Sequence, residues 1–409
     1  MSSSISKFTV SATAFARAVA QVTPVVPSSP LVSILETVVL VGTGSVVGAA
    51  ASLKLVCSNL ETQLLVSLPV DCFSNFMVCI PAKTLLATLK GFPDAPVTCE
   101  VDETNNILTL LLGRSRYKMV GEAVKDFPRM SPLAKVFTTI TMPEQMLRAA
   151  LVATLSTAST NDSRPALNAV MFEARNHDAE NAPLRLRNSP QSLSLVGISN
   201  NRLCLWQADA QDERYEEVTW DKPTKFLVPR QAIQLLISQL NPKSADPIVL
   251  HIDETNIRTS SGSWVSRLLA ETPMEYRQVI PGLGGQVAEV DRDEMLTALR
   301  RLAIYTPDKT DMVVLNFNNA RELQLSADNH LVGNEGNETV SCAYDGNDMM
   351  LAFPSGHLVQ LLSIWDKGRV LFHLGGTKKP TVITLAEEGD VPTITCTIMP
   401  SYLPEAIAA

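Results

Sequence analysis

With 409 residues, 45% of them hydrophobic and 19% charged, the chain is long enough for about three domains and has the composition of a globular protein. Its net charge of −8 excludes attraction to nucleic acid by total charge alone, while leaving open where the charges lie. The seven cysteines (57, 72, 79, 99, 204, 342 and 396) sit mostly in apolar runs without CxxC or Cys/His spacing, which predicts buried free thiols in a reducing, cytoplasmic setting and no metal site.

The N-terminal MSSSISKFTV has no basic segment leading into an apolar core, so no signal peptide is expected. Residues 8–10 read as a strand. Ser11 follows as a helix N-cap, with Phe15, Val19 and Val22 on one helical face. The uncharged run 37–53 contains Gly42, Gly44 and Gly48 and is short for a membrane span, so two strands around a Gly-rich turn are predicted, and no membrane association. Strands are expected at 53–57, 63–68 and 107–112, with a helix over 81–92. The middle of the chain repeats the order: a strand at 137–140, a helix over 143–159, strands at 169–173 and 193–197, a helix over 229–240 and a strand at 248–252. The polar stretch 174–192 reads as a surface excursion. The last part opens with a strand at 287–290 and Asp291 as N-cap. A helix over 291–305, strands at 313–317 and 322–326, and a helix over 354–365 follow. Linkers are predicted at 128–136 and 281–286, where Pro or Gly breaks the periodicity.

One phrase occurs three times. Residues 225–240, 78–92 and 351–365 each run from a short apolar strand through a proline (Pro229, Pro81, Pro354) into a helix. Apolar residues stand four and eight positions after each proline: Ile233 and Ile237, Leu85 and Leu89, Leu358 and Leu362. The prolines are expected in the first helical turn, where a missing N–H costs nothing. Copies 148 and 125 residues apart indicate a threefold internal repeat. The predicted fold is therefore α+β, with domains at 1–134, 135–285 and 286–409, each built of antiparallel sheets and two helices.

Catalytic chemistry finds little footing. The stretch from Gly42 to Gly48 departs from a dinucleotide fingerprint and lacks its βαβ context. The five histidines form no metal-spaced pair, and no GxSxG motif or P-loop occurs. Asp291, Asp293 and Glu294 stand at a helix start, where acids cap and favour the helix dipole. A Ser/His/Asp triad drawn from distant residues stays open, and with it a β-rich repeat enzyme with a dispersed site.

At several points the sequence resembles the bacterial replicative sliding clamp, the beta subunit of DNA polymerase III. The carrying residues are KFTV, SPLVSIL (29–35), GRSRYKM (113–119), DFPRM (126–130), RPALNAVMFE (164–173), FLVPRQAI (226–233), PMEYRQVIP (273–281) and TIMP (397–400). The resemblance implies clamp domains that assemble head-to-tail as a homodimer into a closed ring around double-stranded DNA. It implies a non-catalytic processivity factor without cofactor, one that tethers the polymerase by raising its effective concentration at the primer. Clamps for repair or translesion synthesis, or carried by a mobile element, are the alternative within the family.

The six expected helices hold eight basic and four acidic residues, leaving −12 on the remainder, so the helix layer is the basic part of the chain. In the resembled family such helices line the hole and meet phosphates without reading sequence. Arg17, Lys83, Lys90, Arg148, Arg164, Arg230, Arg300 and Arg301 are the implied DNA-facing residues; ordinary solvated helix faces are the alternative. The strand around 116–119 is implied to pair with the other subunit, with Tyr117 near Ile304 and Tyr305, unless these three are intradomain core.

The family binds short peptides of polymerases and the clamp loader in a pocket between the second and third domains. By position, Ile198, Asn200, Asn201, Arg202 and Leu203 form one implied wall, and Pro273, Gln278 and Val279 another. Thr310, Pro354, His357 and Thr381 follow, and Ile398, Met399, Pro400, Ser401, Tyr402 and Leu403 close the set. Leu203, Val279, Ile398 and Met399 are expected as the apolar floor. The chain departs from the family at Asn200-Asn201 (commonly Gly-His), at Gln278 (basic), at His357 (aromatic) and at Tyr402 (Arg). It also continues as PEAIAA after Leu403; together these departures imply a changed peptide preference, with neutral drift around a persisting pocket as the alternative. Ser29, Pro165 and Ala166 likewise stand where the family often has arginine or aromatics.

Overall fold

In a computed structural model the described residues are all except 1–4, 31, 46–49, 73, 129, 131–133, 162, 177–190, 208–216, 221–223, 307–310, 319–320, 330–332, 389–392 and 403–409. Among them are six α-helices: α1 (Ala12–Val22), α2 (Ala82–Lys90), α3 (Glu144–Thr157), α4 (Arg230–Gln239), α5 (Arg292–Leu302) and α6 (Ser355–Leu362). Each lies within the span that the periodicity predicts. No described helix is long and apolar enough to cross a membrane.

Local chemistry sets the helix starts. The Ser11 hydroxyl accepts the Ala14 N–H at 3.3 Å, and the Asp291 carboxylate accepts the N–H groups of Asp293 and Glu294 at 3.0 Å each. The prolines correct the expectation by one residue. Pro81, Pro143 and Pro354 are the N-caps themselves, with φ of −54°, −59° and −60°, and each is also the last residue of the preceding strand. The fixed φ of proline suits a residue that leaves an extended strand and enters a helix.

The chain divides into two compact units: Met1–Thr139 with Gln234–Leu240 and Ile248–Leu268, and Ile140–Ile233 with Asn241–Pro247 and Leu269–Ala409. In the first unit one antiparallel sheet runs Asp71–Cys72, Ser6–Ser11, Pro96–Asp102, Ile107–Leu112, Ser115–Val120. Alternation of side chains buries Phe8 and Val10 of its Ser6–Ser11 strand. A second sheet of this unit runs Pro247–Ile252, Asn256–Thr259, Trp264–Arg267, Thr62–Pro69, Ser52–Ser58, Thr37–Thr43, Phe76–Pro81. The uncharged run therefore forms strands, as predicted, with Val39 opposite Val56.

The second unit carries one twelve-stranded antiparallel sheet. Its order is Thr224–Pro229, Ala169–Asn176, Gln191–Ile198, Arg202–Gln207, Ile394–Ile398, Thr381–Leu385, Arg369–Leu374, Gln286–Asp291, Asn334–Ala343, Glu322–Asn329, Met312–Phe317, Met349–Pro354. Helices α5 and α6 pack on each other over a core that includes Met295, Leu299, Phe317, Phe353, Leu358 and Phe372. Gly284 and Gly285, in the predicted linker 281–286, have φ of 133° and 83°, a region that side chains rarely adopt.

Two seams show the repeat at atomic level. In the first unit Trp264 lies opposite Leu64, the Asn59 N–H donates to Thr62 O at 3.1 Å, and the Arg267 N–H donates to Glu61 O at 2.8 Å. In the second unit Arg202 lies opposite Ile398, the Ser199 N–H donates to Arg202 O at 2.9 Å, and the Met399 N–H donates to Asn201 O at 2.8 Å. A late strand of one repeat thus adds to the same position of the preceding repeat, twice. Among the sheet edges of the described residues, two match the strand positions that the seams use and are left without a seam partner. Ser115–Val120 pairs on one side only, and residues 334–341 pair only with Glu322–Asn329, because the strand Gln286–Asp291 reaches just Cys342 and Ala343.

Candidate partner-peptide pocket

The second seam opens into a cavity of about 260 Å³. Its apolar lining is Leu167, Ile198, Leu203, Met274, Val279, Pro380 and Met399, with Thr397; its polar lining is Arg164, Ser199, Asn200, Asn201 and Arg202. Strand alternation explains the floor. One face of the sheet carries Ala169, Met171, Val196, Leu203, Leu205 and Leu227, and the segment from 269 to 280 covers it with Leu269, Tyr276 and Ile280. Tyr276 is fully buried, while Met274 and Val279 on either side of it stay 43% and 48% exposed. The covering segment is therefore anchored in its middle and offers apolar side chains near its ends.

The anchor is ionic as well as apolar. The Tyr276 hydroxyl donates to Glu173 Oε2 at 2.7 Å, and the Arg277 guanidinium donates to the same oxygen. Lys225, directly across the strand pair from Glu173, places its ammonium 3.5 Å from Glu173 Oε1 and 2.6 Å from Glu275 Oε1. Arg277 also stacks on the Tyr276 ring at 4.6 Å. Burial opposes the charge on Glu173, but the Tyr276 and Arg277 hydrogen bonds and the two cations hold its carboxyl below the usual carboxylate range.

The rim is knit together. Arg164 donates to Asn200 Oδ1 at 3.2 Å, Arg202 donates to Gln360 Oε1, and Asn201 Nδ2 lies 3.4 Å from His357 Nδ1. Burial, then the Arg202 charge, lowers the affinity of His357 for a proton, with Asp311 opposing. Burial and the charge of Arg230 likewise depress Arg202.

Of the residues implied for the pocket, Ile198, Asn200, Asn201, Arg202, Leu203, Val279 and Met399 line this cavity. Pro354 caps α6, whose His357 reaches Asn201, and Pro273 adjoins Met274. The Ser401 N–H donates to Ala352 O at 2.8 Å, which holds the chain at Pro400, and Gln278 and Tyr402 are exposed. Ile398 corrects the expected floor: it is fully buried in the core beneath α5 and α6, opposite Thr381, and Thr397 lines the cavity instead. The reason is the two-residue period of a strand, which turns neighbours to opposite faces. Thr381 is fully buried too. Thr310 and Leu403 lie outside the described residues. Leu167, Met274, Thr397 and Pro380 were not anticipated, although the first three sit inside the quoted motifs.

Among the residues implied to face DNA, Arg17, Lys83, Lys90, Arg300 and Arg301 are exposed, and Arg148 is half-buried. Lys83 Nζ donates to Pro27 O at 3.4 Å, and Arg301 forms a two-pronged pair with Glu338 at 2.5 and 2.7 Å. Two positions differ from expectation. Arg164 belongs to the cavity rim, and Arg230 donates to Leu155 O and Ala158 O at 2.8 Å each, capping the end of α3. At the open edges Tyr117, Ile304 and Tyr305 are 40%, 79% and 41% exposed, so they are not intradomain core.

A repeated sheet-and-helix fold with sheet-to-sheet seams and an apolar seam pocket defines the sliding-clamp class. Residues 6–131 match the family model of the DNA polymerase III beta subunit, N-terminal domain, and residues 277–402 match that of its C-terminal domain. The beta sliding clamp of Pseudomonas putida is 24% identical over 389 residues, covering 94% of this chain and 97% of that protein. The beta sliding clamp of a Synechocystis strain is 22% identical over 346 residues, covering 81% and 84%. The solved sliding clamp from Bartonella birtlesii, bound to griselimycin, superposes with a TM-score of 0.85 at 21% identity over 98% of this chain and all of that one. The clamp from Bacillus subtilis gives 0.82 at 18% identity over 98% and 100%. The chain belongs to the DNA polymerase III beta-subunit family and is a DNA sliding clamp.

Proposed function

We propose that this clamp acts without catalysis, in the cytoplasm, as a head-to-tail homodimer of three-domain chains that closes around duplex DNA and tethers polymerase subunits. The observation that carries the ring is the pair of open edges. Two seams inside the chain join a late strand of one repeat to a fixed strand of the repeat before it. One such strand, Ser115–Val120, and one such acceptor edge, 334–341, are left over. A second copy would join them in the same way, and two such heterologous contacts close a ring. Charge supports the pairing: the first edge carries Arg116 and Lys118, the second Glu335 and Glu338. The domains would be 1–134, 135–285 and 286–409, with the exposed cations of α1, α2 and α5 toward phosphate.

The cavity at the second seam would take short peptides of polymerases and of the clamp loader. Its apolar floor supports burial of aliphatic or aromatic side chains, and Asn201 and Arg202 offer polar contacts for the peptide backbone. A clamp serving repair or translesion synthesis is the second reading, favoured by the rim, where Arg164 and Arg202 are already bonded to Asn200 and Gln360. Electron microscopy of the free protein tests the central claim. The expected particle is a six-lobed ring with a duplex-sized hole and a mass twice the 44.4 kDa of the chain. Compact particles without a hole would overturn it.

A further inference from the structure

The pocket wall that carries Met274 and Val279 has no strand pairing of its own. Residues 273–280 follow an irregular path with a single 3-10 turn, Tyr276–Gln278. Their hold on the sheet is concentrated at one point. Glu173, 3% exposed, accepts from Tyr276 and Arg277 through one oxygen and faces Lys225 with the other. We infer that Glu173 is a positioning residue for peptide binding: through Tyr276 it fixes the wall segment so that Met274 and Val279 are preset against the floor.

The argument rests on geometry and on the cost of alternatives. If the wall lifted, a buried carboxylate would lose its hydroxyl and guanidinium donors, and a buried tyrosine ring would leave the cluster of Met171, Val196, Leu205 and Leu227. Loop closure therefore costs nothing further when a ligand arrives, because the ordering has been completed on folding. Neither Glu173 nor Tyr276 lines the cavity, so neither contributes direct contact. Their effect is expected in the dissociation rate, where loss of preorganisation mostly appears.

This inference rests on the proposed pocket, so its test has one arm without ligand. Tyr276→Phe keeps the buried ring and removes one hydrogen bond; Glu173→Gln keeps the shape and removes the charge. In the free protein, methyl NMR of Met274 and Val279 is expected to show shifted, broadened signals in both variants, while methyls of Leu315 and Leu351 in the distant core stay unchanged. In the second arm, griselimycin and a polymerase-derived peptide are the probes. Both variants should release them about fivefold to tenfold faster at unchanged association rate, the scale of one buried hydrogen bond. In either variant background, Val279→Ala should cost less affinity than it does in the wild type. Unchanged Met274 and Val279 signals in both variants would overturn the positioning role. If the wild type binds neither probe, the pocket reading fails and the methyl arm still decides the role of Glu173.

Discussion

At the scale of single residues, two positions make sharp predictions. Gly197 is the next-to-last residue of the strand that feeds the pocket turn, and an added Cβ would lie 1.7 Å from Thr154 O and 2.7 Å from Thr157 Oγ1. Thr157 Oγ1 already donates to Gly197 O at 2.9 Å, so α3 and this strand are locked at contact distance. Gly197→Ala must push them apart, and a loss of ~1–3 kcal/mol is expected in denaturant unfolding, as for overpacked cores. His357 gives the pH prediction. Its pKa in the fold is below the ordinary value near 6.5, so the native state prefers it neutral. Between the two values the unfolded chain binds more protons than the native one, so stability is retained above about pH 6.5 and falls as the pH drops through that window. His357→Gln should flatten the stability-against-pH curve below about pH 6.5; an unchanged slope would remove His357 as its source. The sequence made the caps at Ser11 and Asp291 legible because their bonding is local. It misplaced Ile398 because the phase of a strand is set by its partners, which lie about 200 residues away at 202–204.

At the scale of elements, helix positions were readable to within a few residues, since an apolar stripe at 3.6-residue spacing is a local signal. Sheet order was not readable. Nothing local to 202–207 says that its neighbour is 394–398, and nothing local to 264–267 points to 62–69. The ionic anchor of the wall segment was invisible for the same reason, although Glu173 and Tyr276 both stood in motifs already singled out. The open edges yield the prediction at this scale. Ile304 is 79% exposed and follows α5 directly, so Ile304→Asp should leave the fold intact while breaking subunit association. Sedimentation of the variant should shift from dimer to monomer mass with an unchanged far-ultraviolet circular dichroism spectrum. A dimer that survives both this change and Tyr117→Asp would place the subunit contact elsewhere. The Arg301–Glu338 pair is not expected to matter for folding, because water and salt screen exposed ion pairs.

At the scale of the whole molecule, the proposed sliding mechanism requires the helix cations to face phosphate and the acidic remainder to face away from it. Total charge concealed this, because −8 is the sum of +5 on the six helices and −13 on the remainder. A ring that holds DNA by topology needs only weak, equivalent phosphate contacts, and net negative charge limits binding from solution. Two salt dependences should therefore separate. Direct binding to linear duplex should be weak and should fall steeply with salt, with each phosphate contact adding about −0.9 to the log–log slope. Retention on a nicked circle after loading should barely respond to salt, because escape requires ring opening and not phosphate release. Replacing Arg17, Lys90 and Arg300 by alanine should reduce the first slope by up to about 3 and leave retention on the circle nearly unchanged. Cutting the circle should release wild type and variant alike, since both would then slide off an end. Salt-sensitive loss from the intact circle, parallel to the loss from linear DNA, would mean that charge and not topology holds the protein, and the open edges would then need another partner than a second copy of this chain.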